Sequence, residues 1–198
     1  YYQLAPKTRG LLEYTYSRIL YKEDKDRDGY FNQVRVGLKG ELTRKLAGTV
    51  KIGYQAREYS NDSIWDDYSG FVGYIGLDYY FSPKTDFRIG WERTLRESTY
   101  SENSYYLINR GWFRISQQLI NKVRGIGLIE FNQNRYPEEE IGGRKRRDYI
   151  WRAEAKIKYQ IQAWLKTELI YTFKKQDSNL AGLDYRDNTI SLEISAYY

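Results

Sequence analysis

The chain has 198 residues, of which 17% are aromatic and 29% are charged, and its formal net charge is +6. It contains no Cys, Met or His, which excludes disulfides, Cys or His metal sites, thiolate nucleophiles and a histidine general base. The aromatic content is not typical of disorder, and the apolar runs are too short for a membrane-spanning helix. The positive charge favours an anionic partner; a basic surface without any partner is the alternative.

Apolar and polar residues alternate through most of the chain. Val50, Ile52 and Tyr54 are separated by polar residues or glycine, and the same alternation runs through residues 151–161 and 165–173. A strand would place these apolar residues on one face, whereas a helix would spread them around its circumference. The pattern therefore predicts an all-β chain.

The predicted strands are about ten in number, and most of them have about 11–15 residues, against about 5–6 in ordinary sheets. They lie near residues 8–21, 30–42, 48–59, 68–81, 85–97, 105–119, 123–134, 148–161, 164–175 and 187–198. No segment with helix caps competes with this interpretation. Residues 1–198 are therefore predicted to form a single domain.

The connections between these strands alternate between short and long. The short ones are residues 43–47, 82–84, 120–122 and 162–163, and the long polar ones are 22–29, 60–67, 98–104, 135–147 and 176–186. A Tyr follows each long connection, a repeat that propeller blades could also produce. A blade needs four short strands per repeat, whereas this chain has two long ones. The pattern thus predicts an antiparallel up-and-down meander.

Alternation gives each strand an apolar and a polar face, without showing which face points outward. An outer-membrane barrel turns the apolar face to lipid, and a soluble barrel turns it inward. The strands are long enough to span a bilayer, and aromatic residues such as Phe71, Tyr79 and Phe81 lie near strand ends, as in interfacial girdles. The alternating end of the chain, residues 190–198, resembles the carboxy-terminal signal of outer-membrane barrels. These features favour a transmembrane β-barrel, with a soluble ligand-binding barrel as the alternative.

This orientation assigns residues to the two faces. The predicted membrane-facing residues are Val50, Ile52, Tyr54, Trp151, Ile157, Tyr159, Leu169, Tyr171, Ile190, Leu192, Ile194 and Tyr198. The predicted basic residues of the lumen are Arg35, Lys39, Lys51, Arg57, Arg88, Arg96, Arg110, Arg114, Arg152, Lys156, Lys158 and Lys166.

The basic residues on the polar face outnumber the acidic ones by about six, and a narrow aqueous lumen would focus their field. Arginine can also bind carboxylates through two hydrogen bonds. We therefore expect a passive conduit for anionic solutes, an acidic polysaccharide among them. The alternative is that these residues pair across strands, Lys156 with Glu168 for example, and fill a small barrel that anchors an envelope assembly.

Other chemistries are less consistent with the sequence. An acid/base pair could be formed by two of Glu138, Glu139 and Glu140, and a calcium loop by Asp24, Asp26 and Asp28. The second set lacks the calcium-loop pattern. Both are interpreted as solvated loops or as cation sites near lipopolysaccharide. Aromatic and charged residues fall on opposite strand faces, which disfavours nucleic-acid binding. No catalytic residue, metal or cofactor is expected.

Short motifs at the long loops resemble a known family. Residues 175–179 read Lys-Gln-Asp-Ser-Asn and are followed by Asp184-Tyr185 and by an alternating strand from Asn188; residues 57–61 with Asp67-Tyr68, and 96–98 with Tyr105-Tyr106, echo them. This pattern resembles the putative beta-barrel porin family of outer-membrane proteins associated with exopolysaccharide export. The resemblance implies a bacterial outer-membrane location, with lipid, lipopolysaccharide, anionic polysaccharide and periplasmic export proteins as partners. It also implies larger barrels, of which this chain would be the carboxy-terminal part.

Overall fold

The computed structural model describes residues 2–22, 25–61, 65, 67–98, 103–140 and 143–197, with only the backbone at 139–140. These residues form one antiparallel sheet of eleven strands in sequential order. The strands are β1 (Tyr2–Ala5), β2 (Thr8–Ile19), β3 (Gly29–Glu41), β4 (Leu46–Tyr59), β5 (Tyr68–Ser82), β6 (Thr85–Glu97), β7 (Tyr105–Ile120), β8 (Val123–Glu140), β9 (Arg144–Gln162), β10 (Leu165–Ser178) and β11 (Tyr185–Ala196). The predicted all-β, antiparallel, up-and-down fold is confirmed.

The sheet is open. Among the described residues, each strand pairs with its neighbours in the sequence, and no ladder joins β1 to β11. A three-residue 3₁₀ turn, Lys25–Arg27, lies between β2 and β3. Within the same described ranges, no helix is long and apolar enough to cross a membrane.

The structure differs from the predicted strands in two places. The short strand β1 was not predicted; it pairs with β2 from Tyr2 opposite Gly10 to Ala5 opposite Thr8. Strands β8 and β9 also continue through much of the segment 135–147, which was predicted to be a loop. The backbone ladder there pairs Glu140 with Arg144, so strand pairing continues where the sequence has no apolar alternation.

The register gives the sheet two distinct faces. Val34, Tyr54 and Phe71 lie opposite one another on adjacent strands, and so do Leu38, Val50 and Ile75 further along. We call this side the apolar face and the opposite side the charged face. Large apolar side chains are exposed on many strands of the apolar face, and a continuous surface of this kind marks contact with a membrane or another protein.

The predicted membrane-facing residues lie on the apolar face. The eleven within the described residues are between 41% and 75% exposed, and Tyr198 lies outside the described residues. Their contact with lipid stays a prediction.

The buried residues are concentrated at the end of the sheet that carries the long loops. A hydrophobic cluster there consists of Tyr59, Trp65, Tyr68, Leu95 and Tyr105. Deep burial near the short turns is rarer and includes Leu11, Ser116 and Glu168. The two ends of the charged face thus differ: the long-loop end is covered, whereas the short-turn end is accessible.

Candidate functional site

The strand register assigns all twelve of the predicted basic residues to the charged face, although Arg96 lies beyond the end of the β5–β6 ladder at Gly73 opposite Arg93. The ladders show this strand by strand: Lys51 lies opposite Tyr74, Arg88 opposite Asp78, and Lys158 opposite Glu168. The register also places three acidic residues on this face that the prediction did not count, namely Asp86, Asp148 and Asp187. It also places two uncounted basic residues there, Arg9 and Arg146, so the positive excess stays close to the predicted one. That these residues line a lumen stays a prediction, since the sheet is not closed.

A group of three lysines on the charged face surrounds Glu168 of β10. Its carboxylate oxygens lie 3.0 Å from Nζ of Lys158, 3.3 Å from Nζ of Lys166 and 3.5 Å from Nζ of Lys156. The Glu168 side chain is 6% exposed, whereas the three lysines are more accessible. Glu154 lies 3.8 Å from Nζ of Lys156 and pairs with Arg152, and Glu193 lies opposite Glu168 in the ladder. These carboxylates offset much of the charge, so the group keeps only a small positive excess.

A second carboxylate, Glu13 of β2, has a similar arrangement. Its oxygens lie 2.6 Å from Nζ of Lys51 and 3.0 Å from a terminal nitrogen of Arg35. Arg110 and Glu130 form a further pair at 2.6 Å. Cross-strand pairing, the alternative raised by the sequence, is therefore present, but it leaves surplus cations at both Glu13 and Glu168.

A recess of about 340 Å³ lies between these groups, lined among others by Tyr74, Arg88, Trp112 and Arg114. The Trp112 ring lies against Gly90, where an added Cβ would approach a ring carbon to 2.1 Å. Glycine at this position therefore lets the indole ring lie flat on the sheet. The recess combines aromatic rings with guanidinium groups, so it presents both apolar and cationic surface.

At the long-loop end, β5 and β6 separate. Their ladder ends at Gly73 opposite Arg93, although β5 begins at Tyr68 and β6 continues to Glu97. Strands β6 and β7 stay paired with each other up to Glu97 opposite Tyr105. We call residues 94–98 and 103–107 the β6–β7 end; residues 99–102 lie outside the described residues.

The β6–β7 end bends over the charged face. By register, Glu97 and Tyr105 belong to the apolar face, yet they contact charged-face residues of β4 and β5. Glu97 forms an ion pair with Arg57, and the Tyr105 ring centroid lies 6.3 Å from that of Tyr59 and 5.5 Å from that of Tyr68. Only an inward bend of this hairpin brings the two faces together.

The loop between β2 and β3 holds the same hairpin. A terminal nitrogen of Arg27 donates to the carbonyl oxygens of Ser98 at 2.7 Å and Asn103 at 3.2 Å. The Tyr21 hydroxyl donates to Glu97 at 2.8 Å. Burial, together with the neighbouring Glu97 carboxylate, raises the pKa of the Tyr21 hydroxyl.

Strand β8 contacts the β6–β7 end from the other side. The backbone nitrogen of Glu138 donates to Oδ1 of Asn103 at 3.0 Å, and the rings of Tyr106 and Tyr136 stack at 5.1 Å. Behind Tyr136, Arg146 and Asp148 form a bidentate pair in which both side chains are only 1% exposed. The hairpin is thus held between two flanks of the sheet.

Sequence reasoning did not find this arrangement. It assigned Arg57 to the lumen wall, and the structure shows a side chain that is 2% exposed and paired with Glu97. Arg27 and Asp148 were not singled out, because polar residues in or beside loops give no periodic signal. The only sequence signal for this arrangement was the spacing of Arg146 and Asp148, since residues two positions apart lie on the same face of a strand.

The acidic loop residues have structural partners. Asp28 accepts a hydrogen bond from the backbone nitrogen of Tyr21 at 2.6 Å, and Asp26 accepts one from Asn61 at 3.1 Å, while Asp24 lies outside the described residues. In the part of the chain that the structure describes, no three His, Cys, Asp or Glu residues are grouped as metal ligands.

The family described as putative beta-barrel porin 2 matches residues 1–198. The chain belongs to this family. The family description does not mention exopolysaccharide export, so that association stays with the sequence resemblance. No curated protein matches the chain.

The fold is similar to that of an outer-membrane receptor barrel. A crystal structure of a mutant of the ferric enterobactin receptor PfeA from Pseudomonas aeruginosa matches with a TM-score of 0.57 and 10% sequence identity. The match covers 96% of this chain and 36% of the receptor chain. The open sheet is therefore similar to part of the wall of an outer-membrane receptor barrel, and the chain spans about a third of the receptor's length.

Proposed function

We propose that the chain forms the wall of a passive outer-membrane conduit for anionic solutes. In this arrangement the apolar face contacts lipid and the charged face lines an aqueous path. The family and the fold support a barrel, and the separation of the two faces supports its orientation. The location in a bacterial outer membrane, and contacts with lipid and lipopolysaccharide, follow from this proposal.

The observation that supports a preference for anionic solutes is the surplus of cations on the charged face. Three lysines surround Glu168, and two cations surround Glu13. A low-dielectric wall focuses such charge into a narrow path and raises the local concentration of anions. An acidic polysaccharide is one anion that this path would accept, and periplasmic export proteins are the partners that such a cargo would require.

The edges of the sheet require completion in a membrane. Unpaired backbone donors and acceptors on β1 and β11 would be costly in hydrocarbon, so further strands must pair with them. We propose that additional strands, from the same polypeptide or from another chain, close the barrel. The conduit works by guided diffusion and needs no covalent chemistry, so we do not propose an enzyme.

The test is the ion preference of the protein reconstituted in planar lipid bilayers. Under a potassium chloride gradient we expect a reversal potential that shows anion preference. Replacing Lys156, Lys158 and Lys166 by Gln should reduce that preference. Cation preference of the unmodified protein would contradict the proposal.

A matched control removes the same charge elsewhere. Lys45, Lys84 and Lys122 lie in the short turns rather than on the charged face. Replacing these three residues by Gln should leave the reversal potential unchanged. An equal loss of anion preference in both triple variants would show that total charge, rather than the charge around Glu168, decides selectivity.

A second candidate function is a barrel with a plugged lumen that anchors an envelope assembly. The bend of the β6–β7 end over the charged face favours this candidate, since the hairpin occupies space at the long-loop end. A plugged barrel would show no single-channel conductance under any condition, whereas a conduit would conduct.

A further inference from the structure

We infer that the recess beside Trp112 binds one residue of an acidic sugar, with the sugar carboxylate at Arg88 and Arg114 and the sugar ring against the aromatic side chains. This inference rests on the proposed function and deepens it, because it names the chemical class of the anion and the place where it binds. The recess of about 340 Å³ has the size of a small-ligand site, since such sites begin at about 300 Å³.

The first support is a pair of arginines that repel each other. Arg88 and Arg114 lie directly opposite one another in the β6–β7 ladder, and like charges in that position destabilise a sheet. Arg88 has a partner, since its Nε atom lies 2.8 Å from Asp78, whereas the other cross-strand neighbour of Arg114 is Leu128. Within the described residues Arg114 forms no ion pair, and its buried Nε atom has no hydrogen-bond partner. An anion bound at the two guanidinium groups would offset both costs.

The other charges around the recess already have partners. Glu130 lies 2.6 Å from Arg110, and Glu154 lies 2.6 Å from Arg152. Glu92 lies opposite Arg110 in the ladder, on the long-loop side of the recess. The positive charge without a countercharge is therefore located on the short-turn side, where the two opposed arginines lie.

The second support is an aromatic surface that two glycines make possible. Gly76 and Gly90 lie directly opposite one another in the β5–β6 ladder, so no side chain fills the charged face there. The Trp112 ring lies over Gly90, and the Tyr74 hydroxyl lies over Gly76, where an added Cβ would approach it to 2.6 Å. The two ring centroids are 5.8 Å apart, and both side chains are partly exposed. The C–H groups of a sugar ring carry a slight positive charge and pack against the negative faces of such rings.

The third support separates an acidic sugar from other anions. A chloride ion makes no use of an aromatic surface, and an aromatic carboxylate such as benzoate has no hydroxyl groups to donate. The recess also offers an acceptor, since the Asp78 side chain is 40% exposed beside Arg88. Sugar hydroxyls donate to a carboxylate of this kind, while a sugar carboxylate accepts two hydrogen bonds from a guanidinium group. An acidic sugar therefore matches the cationic, aromatic and acceptor groups of the recess together.

Calorimetric titration of the full protein in detergent micelles tests this site without any conductance measurement. The probe is trigalacturonate, and the comparison ligands are neutral maltotriose and propane-1,2,3-tricarboxylate, which has carboxylates but no sugar ring. We expect trigalacturonate to bind about tenfold more tightly than either comparison ligand, the effect of one hydrogen bond to a charged group. Equal affinity for the tricarboxylate or for maltotriose would overturn the inference, because charge alone or the sugar ring alone would then explain binding.

Variants with a matched control locate the binding. Arg114→Gln should weaken trigalacturonate binding about tenfold, and Arg114→Lys should also weaken it, because an ammonium group lacks the planar fork that binds a carboxylate. Tyr74→Leu should weaken binding several-fold, since leucine has no π face. The control is Arg9→Gln, because Arg9 lies opposite Lys39 on the charged face of β2, away from the aromatic rings of β5 and β7.

Arg9→Gln should leave the affinity for trigalacturonate unchanged. Equal weakening in Arg9→Gln and Arg114→Gln would overturn the inference, since the binding would then follow the total charge of the face. A heat-dependent shift in electrophoretic mobility shows whether each variant is folded, and Arg114→Lys keeps the charge at the site if Arg114→Gln does not fold.

The outcomes distinguish this inference from the proposed function. If the protein conducts anions but binds trigalacturonate no more tightly than the tricarboxylate, the sugar site is wrong and the conduit stands. If binding follows the expected pattern but the protein does not conduct, the conduit is wrong and the recess is the sugar site of a plugged barrel.

Discussion

Arg57 of β4 and Glu97 of β6 form an ion pair although the strand register assigns them to opposite faces of the sheet. Arg57 is 2% exposed, whereas Glu97 is 34% exposed. The two partners therefore differ in how easily water can replace the interaction. This asymmetry makes the consequences of removing each one different.

Removing Glu97 should cost more stability than removing Arg57. Glu97→Gln leaves a buried guanidinium without its countercharge, for which we expect a loss of about 2–4 kcal/mol. Arg57→Gln leaves a carboxylate that water can reach, and the loss should be about 1–2 kcal/mol. Urea unfolding of the protein in lipid vesicles measures both, and Glu58→Gln on the exposed side of β4 is the control. Equal losses for the two variants would contradict the asymmetry.

Asp148→Asn should destabilise the long-loop end strongly. Its carboxylate pairs with Arg146, and both side chains are 1% exposed, so the variant leaves a buried charge at a cost of about 3–5 kcal/mol. Asp177→Asn is the matched control, because the Lys175–Asp177 pair is partly exposed and should contribute about 0–1 kcal/mol. The free energy of unfolding distinguishes the two, and similar values would show that the Arg146–Asp148 pair is solvated.

Gly90→Ala should displace the Trp112 ring. An added Cβ would lie 2.1 Å from a ring carbon, so the indole must move into the recess, at a cost of about 1–3 kcal/mol. Gly111→Ala is the control on the neighbouring strand, where the nearest atom to the added Cβ is 4.0 Å away. Tryptophan fluorescence and unfolding report the effect. An unchanged spectrum in Gly90→Ala would show that the ring does not lie on the glycine.

A charge on the apolar face should prevent stable insertion. Leu169→Arg would place a cation in the hydrocarbon, at a cost of about 2–4 kcal/mol near the bilayer centre. Thr172→Arg is the control, because Thr172 lies on the charged face opposite Glu154. Folding into lipid vesicles, followed by protease resistance, measures insertion. Better insertion of Leu169→Arg than of Thr172→Arg would reverse the assignment of the two faces.

The contribution of Tyr21 should be lost at alkaline pH. Its ordinary pKa is 10.0, and burial and Glu97 raise the pKa in the folded protein. The hydrogen bond to Glu97 therefore contributes fully below pH 10, and its contribution is lost as the pH rises through the raised value. The difference in unfolding free energy between the unmodified protein and Tyr21→Phe should be constant below pH 10 and decrease above it. A difference that grows above that pH would contradict this sign.

Alternation of apolar and polar residues was sufficient to predict ten of the eleven strands and the two faces, because a one-residue shift would reverse every side chain. It could not predict β1, whose four residues are too few to show a period. Nor could it predict the outer part of β8 and β9, where ladder pairs are charged. In each case the periodic apolar signal is missing although backbone pairing continues.

The alternation of apolar and polar residues could not predict the bend of the β6–β7 end. Alternation assigns Leu95, Glu97 and Tyr105 to the apolar face, and this assignment holds only while the neighbouring strands remain paired. Where β5 and β6 separate, the same side chains face the charged side of β4. The partners of Glu97 and Tyr105 are more than thirty residues away in the chain, so local sequence gives no signal for them.

The three lysines around Glu168 have a consequence for transport speed in the proposed conduit. Glu168 already occupies the place among them that a solute carboxylate would take. A passing anion therefore exchanges with a resident group of the same chemistry, and the net gain in free energy is small. Such a site attracts anions without trapping them, so residence is brief and throughput is high.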